Sequence, residues 1–134
     1  MSLNYALPSH GSTSEYQCSG VPYVSSSHTI TSVGGYAEFN MPFVLRHFTI
    51  FNSGSGAIRV GFTENGIFSN PDANYFVVQG NSQTPRLEIK CMKVFVRKDE
   101  GTTANVVSIV AGLTNVTQDR FFAITGSNGV AGVG

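Results

Sequence analysis

The groups able to do acid–base, nucleophilic or metal chemistry are few. They are His10, His28 and His47, the thiols Cys18 and Cys91, and eight carboxylates: Glu15, Glu38, Glu64, Asp72, Glu88, Asp99, Glu100 and Asp119. Metal centres need such groups at fixed spacings. Neither an H-E-x-x-H pattern nor a His-x-His pair with a nearby Glu is present, so no ligand set is recognisable. His28 and His47 become cross-strand neighbours if their segments pair, but lone histidines in strands are ordinarily hydrogen-bonded or surface groups. No G-x-S-x-G elbow surrounds a serine, and neither cysteine stands in a catalytic signature. Only Asp99 and Glu100 are adjacent, in an expected turn where both are solvated. Asn70-Pro71-Asp72-Ala73-Asn74 starts like a calcium loop, yet Tyr75 occupies the position that needs Gly and Asn81 the one that needs Glu. A polar turn fixed by Pro71 is the better account. Gly54, Gly56 and Gly61 lack phosphate-loop spacing, and no helix is expected after them. No catalytic residue, cofactor or metal is expected.

The elements that hold these residues are strands. Ile58, Val60 and Phe62 alternate with Arg59, Gly61 and Thr63, and Leu87 and Ile89 with Arg86, Glu88 and Lys90. Each pattern predicts an apolar inner face and a wet outer one. Pro42 to Asn52 is apolar on both sides, with Phe43, Leu45 and Phe51 on one and Val44, Phe48 and Ile50 on the other. Ala104 to Leu113 behaves alike, with Val106 and Val110 opposite Val107, Ile109 and Leu113. Strands of this kind are doubly covered or lie at a subunit contact. Between Thr84 and Lys98 the inward set changes from odd numbers, through Cys91, to even numbers at Val94 and Val96. Side chains alternate strictly along a strand, so a corner near Cys91-Met92 is required.

Turn chemistry delimits the runs: Asn52 to Gly56, Asn65-Gly66, Gly80-Asn81-Ser82 and Lys98 to Thr103. The strands predicted between them are Val21 to Ser25, His28 to Phe39 with a break at Gly34-Gly35, Pro42 to Asn52, Ala57 to Thr63, Asn74 to Gln79, Thr84 to Lys90, Lys93 to Arg97, Ala104 to Leu113 and Arg120 to Thr125. Eight or nine short strands with short loops define an all-β fold, and a single eight-stranded antiparallel jelly-roll sandwich fits residues 21–125. An immunoglobulin-like sandwich lacks its Trp and its cysteine spacing. Residues 1–20 form an N-terminal arm and residues 126–134 a Gly-rich, flexible tail.

Composition narrows the partners. Of 134 residues, 12% are charged, and eight Lys/Arg balance eight Asp/Glu. Nucleic-acid binding draws its affinity from basic surplus, so no nucleic-acid partner is expected. No run approaches the ~20 apolar residues of a membrane span, so membrane insertion is not expected either. Residues 1–19 have neither the charged nor the apolar part of a secretory leader, which favours free thiols at Cys18 and Cys91. Few charges and no net charge suit a subunit whose surface is covered by neighbours.

Six segments together carry a resemblance: Val21 to Ser27 (VPYVSSS), Pro42-Phe43-Val44, Ile58 to Thr63 (IRVGFT), Asn74 to Val78 (NYFVV), Arg86 to Cys91 (RLEIKC) and Val110 to Thr114 (VAGLT). In this order they resemble the single-jelly-roll penton, or vertex, proteins of large icosahedral nucleocytoplasmic DNA viruses, over roughly Val21 to Thr117. The resemblance implies a non-enzymatic virion protein. It would form a homopentamer at each five-fold vertex, in contact with the major capsid protein and minor capsid proteins, and be assembled in the host cytoplasm. A receptor- or carbohydrate-binding spike head is the alternative, and Tyr75 beside Asn74 and Asp72 is its candidate surface. The arm offers Leu3, Tyr5, Leu7 and Tyr16 as assembly contacts, spaced too irregularly for a helix face, with Pro8 favouring an extended path.

Overall fold

A computed structural model describes residues 20–30, 35–68, 74–99 and 105–120. Among them are eight strands: β1 (Val21–Ile30), β2 (Tyr36–Asn40), β3 (Phe43–Asn52), β4 (Ile58–Gly61), β5 (Phe76–Val78), β6 (Ser82–Gln83), β7 (Lys93–Lys98) and β8 (Asn105–Thr117). They form two four-stranded antiparallel sheets, β1-β8-β3-β6 and β2-β7-β4-β5. Strand 1 pairs with 8, 2 with 7, 3 with 6 and 4 with 5. Such nested pairing is a long hairpin folded over on itself, which is the jelly-roll topology. The two inner faces enclose one core, in which Phe39, Met41, Leu45, Phe48, Ile50, Ile58, Ile109 and Leu113 are fully or almost fully buried. Each contributes about 1.5–3 kcal/mol of burial free energy before its ordering cost.

Strand length follows local chemistry. In β8, Val107, Ile109, Ala111 and Leu113 face the core at every second position, as alternation requires. β1 runs on past the expected end at Ser25, because a bulge between Ser25 and His28 absorbs the break, with Ser27 at φ 61°. Residues 28–30 therefore belong to β1 and not to the strand that follows. The Asn52 to Gly56 hairpin loop is pinned by the buried Asn52 amide, whose oxygen accepts from the Gly54 N–H (3.1 Å) and whose nitrogen donates to Gly56 O (2.8 Å). Gly54 is needed there, since a Cβ would lie 2.7 Å from the Asn105 backbone.

Several expectations need correction. Residues 84–90 do not form a regular strand. They run beside β3 through scattered backbone bonds, Thr84 N–H to Ile50 O and a reciprocal pair between Phe48 and Leu87. Pro85 supplies no donor, and β3 bulges between Leu45 and His47, so the two registers never lock. The same bulge changes which side chains point inward: Leu45, Phe48 and Ile50 all enter the main core, while Val44 packs with Val116 and Met92 in a second, small cluster. Asn65-Gly66 is not a hairpin turn but lies inside a short helix, α1 (Glu64–Phe68). Thr63 caps it, its Oγ1 accepting from the Gly66 N–H at 2.9 Å. Gly61 and Thr63 are consequently buried instead of facing solvent. The corner before β7 is present: a bend at Met92 separates Cys91 from Lys93, and the odd-to-even change occurs there. The arm, the tail and residues 121–125 of the last expected strand lie outside the described residues; Arg120 closes a single 3-10 turn, Gln118–Arg120.

Candidate functional site

Register decides which side chains meet on the outer faces. Across the β2-β7-β4-β5 sheet, one row reads Tyr36, Arg97, Arg59, Val77. Two arginines directly opposite repel unless compensated. Compensation comes from three sources. Arg59 Nε donates to Asp99 Oδ1 at 2.7 Å, and both guanidinium groups donate to the Ile67 carbonyl at 3.4 Å. Arg59 also lies 4.3 Å above the Tyr75 ring, and Arg97 lies 4.4 Å above Phe68. Desolvation, then the Arg59 charge, lowers the Arg97 pKa. Tyr36 packs edge-on against Phe68 at 5.6 Å; partial desolvation and then Glu64, which it hydrogen-bonds, raise its hydroxyl pKa.

This cluster fastens α1 to the sheet. Ile67 is fully buried, and a Cβ on Gly61 would lie 2.7 Å from its Cγ2, so the helix sits directly on the bare backbone of β4. Arg59 thus holds the Asp99 carboxylate, and both guanidinium groups hold the helix-end carbonyl of Ile67. The arrangement positions cations against aromatic rings; it does not place a base beside a nucleophile.

The outer face of the β1-β8-β3-β6 sheet is built differently. Its rows are Pro22–Gly112–His47 and Val24–Val110–Thr49, followed by Ser108 opposite Phe51. Val24 is 67% exposed and Val110 43%, and no charged side chain stands in these rows. Burial and the neighbouring Arg46 and Arg86 charges lower the His47 pKa. Arg46 itself turns to Glu88 (3.3 Å), which Arg86 also approaches at 3.2 Å.

The expected candidates distribute as follows. Leu3, Tyr5, Leu7, Tyr16, His10, Cys18 and Asp72 lie outside the described residues. Tyr75 lies where a ligand surface was sought, but its ring is covered by Arg59. His28 and His47 are not neighbours: β8 separates their strands, and they stand opposite Val107 and Gly112 respectively. His28 instead bonds the Ser25 hydroxyl and packs edge-on against Phe39. Cys91 is a free, buried thiol whose pKa desolvation pushes up to about 12, which makes it unreactive. Among the described residues no three His, Cys, Asp or Glu side chains converge on a metal-sized site, and no helix is long and apolar enough to cross a membrane. Sequence reasoning missed Arg59 and Arg97 as a pair. Their outward phase was visible, but their juxtaposition depends on a strand pairing that the chain does not spell out. No family model matches this chain, and no curated protein matches it either.

Proposed function

We propose that this chain is a structural subunit of an icosahedral capsid, the penton protein that closes a five-fold vertex. The observation that carries the reading is the exposed, directly paired valines Val24 and Val110, in rows without a charged side chain, on a jelly roll whose charges are few and balanced. Adjoining exposed apolar side chains with no charge between them mark a candidate surface for another molecule to cover. Head-to-tail contacts between copies close into a ring when the rotation permits, and a ring of five fills a vertex. In this reading the partners are the chain itself and the major and minor capsid proteins around it. The chain acts in the virion, catalyses nothing and holds no cofactor. The six segments that resemble vertex proteins point the same way.

Native mass spectrometry over rising protein concentration tests it. Pentamers are expected, with each contact burying more than ~1,000 Å² if the ring is stable alone. Trimers, or monomers that persist at millimolar concentration, would overturn it. A second reading, a receptor- or carbohydrate-binding spike head, draws on one observation: the partly exposed aromatics Tyr36 and Phe68 beside Arg97 and the Arg59–Tyr75 stack. Trimers that bind glycans through this face would favour it.

A further inference from the structure

The sandwich has an open side where its two sheets end in their shortest strands. β5 is the edge of one sheet and β6 the edge of the other. Between them lies a groove of about 320 Å³, lined by Phe76, Val78, Gln83, Thr84, Pro85 and Leu87 and walled mainly by carbon. Val77, on its rim, is 40% exposed. Pro85 cannot donate to a ladder, and β6 ends after two residues, so among the described residues no further strand extends either sheet here. An edge of this kind accepts an added extended strand whose alternate side chains fill the apolar pocket.

A segment of matching pattern lies outside the described residues, near the N-terminus. Leu3, Tyr5 and Leu7 alternate with Asn4 and Ala6, and Pro8 follows. In an extended segment, alternation puts the three apolar side chains on one face. That segment leads into Gly20 and β1, at the opposite edge of the β1-β8-β3-β6 sheet from β6. Residues 8–19 span up to about 40 Å when extended, at ~3.3 Å per residue. A head-to-tail ring that turns the β1 edge of one subunit toward the β5/β6 edge of the next would bring arm and groove together.

We infer that residues 3–7 of one copy add as a strand to the β5/β6 edge of the neighbouring copy, with Leu3, Tyr5 and Leu7 seated in the groove lined by Phe76, Val78 and Leu87. The inference rests on the vertex reading and names its tie between subunits. Each subunit then gives one arm and receives one, so the exchange closes with the ring and leaves no unfilled groove.

The test uses full-length chains in a Cys18→Ser background, where the remaining Cys91 is buried. One chain carries Ala6→Cys, on the arm between anchors. The other carries Gln83→Cys, at the exposed groove rim. The two are mixed in equal amounts, their mass is read by native mass spectrometry, and a short bis-maleimide is added. Cross-links between the two chains are expected within pentamers. Adding Leu3→Ser, Tyr5→Ser and Leu7→Ser to the arm chain should lower the yield by about tenfold or more, the factor that ~1.4 kcal/mol represents. Pentamers that form without arm-to-groove links would overturn the inference and leave the vertex reading standing. A third chain carrying both Ala6→Cys and Gln83→Cys is treated alone; links formed only within that chain, and none between the two mixed chains, would also overturn it, placing the arm in its own groove. Monomers throughout would remove the vertex reading and the inference together.

Discussion

The two sheets use the same alternation and finish their outer faces in opposite ways. The strands of β1-β8-β3-β6 contain one charged side chain, Arg46, although they are the longer set. The shorter strands of β2-β7-β4-β5 contain Glu38, Arg59, Lys93, Arg97 and Lys98. Lys98 is fully buried in the inward phase of β7; on the outer face Lys93 pairs with Glu38 at 3.3 Å, Arg59 pairs with Asp99, Arg97 stacks on Phe68, and α1 packs over β4 and β7. That face is completed from within the chain. The central rows of the first carry only neutral side chains, the exposed Val24 and Val110 among them, so burying those rows with a neighbour would desolvate no charge, a cost that otherwise offsets association. The difference separates a face that the fold finishes from one that, in the proposed assembly, a neighbour would finish.

The comparison breaks most visibly at Val110. Val110→Asp adds a charge in the middle of the apolar row without touching the core, so the stability of the isolated subunit should change by no more than about 0.5 kcal/mol. If a neighbour covers this face, the same carboxylate becomes buried and unpaired, and association should weaken by about 3–5 kcal/mol. Paired measurements of urea midpoint and oligomer dissociation read the two effects separately. Equal association of variant and parent would show that the face stays wet.

On the other sheet the expectation reverses. Ile67→Ala removes a fully buried side chain that wedges α1 onto Gly61, and should cost about 2–3 kcal/mol of folding stability. The value lies toward the lower part of the range for such truncations, because a one-turn helix can settle into part of the space. Association should be little changed, since the cluster completes its own face. A melting curve and a dissociation measurement on the same sample check both halves. A large loss of association with unchanged melting would reverse the assignment of the two faces.

How far the sequence carried this picture depends on where the information is local. The eight-stranded sandwich was legible because alternation in residues 58–62 and 107–113 and the turn at residues 52–56 are local signals. The corner at Cys91-Met92 was legible for the same reason, as a parity change in one short run. The helix α1 was not, because Asn65-Gly66 is a strong turn dipeptide and the competing signal was only a Thr63 cap followed by Glu64. The strand expected over residues 84–90 was misread because its alternation is genuine. Leu87, Ile89 and Cys91 do turn inward while Arg86, Glu88 and Lys90 face out. The bulged β3 beside it cannot hold a continuous ladder, and a bulge in a partner strand is invisible from the segment itself. The Arg59–Arg97 row required the pairing of β4 with β7, which lie far apart in the chain. The arm residues Leu3, Tyr5, Leu7 and Tyr16 lie outside the described residues, and the contacts proposed for them are with a neighbouring subunit, which no local signal in one chain can specify.

The smallest expected effect belongs to His47, and it sharpens the comparison from the solvent side. The imidazole stands on the outer face of the first sheet, beside Gly112 and one row from Val110. Burial first, and the Arg46 and Arg86 charges second, lower its pKa below the ordinary value of 6.5, while Glu88 acts in the opposite direction. A lowered pKa means that the unfolded chain takes up the proton more readily than the folded one. Stability should therefore be fully present above pH 6.5 and fall as pH drops below it toward the folded pKa. In the isolated subunit the slope is slight, because the ring is still in contact with solvent. Covering the face with a neighbour deepens the desolvation and lowers the pKa further, so association should weaken with acidity more than folding does. His47→Gln should flatten both slopes between pH 5 and 7, leaving whatever dependence the carboxylates impose at lower pH. Dissociation measured across that range, for parent and variant side by side, gives the answer. A parent whose association is indifferent to pH, while its folding still responds, would place His47 outside the covered surface and confine the contact to the rows around Val24 and Val110.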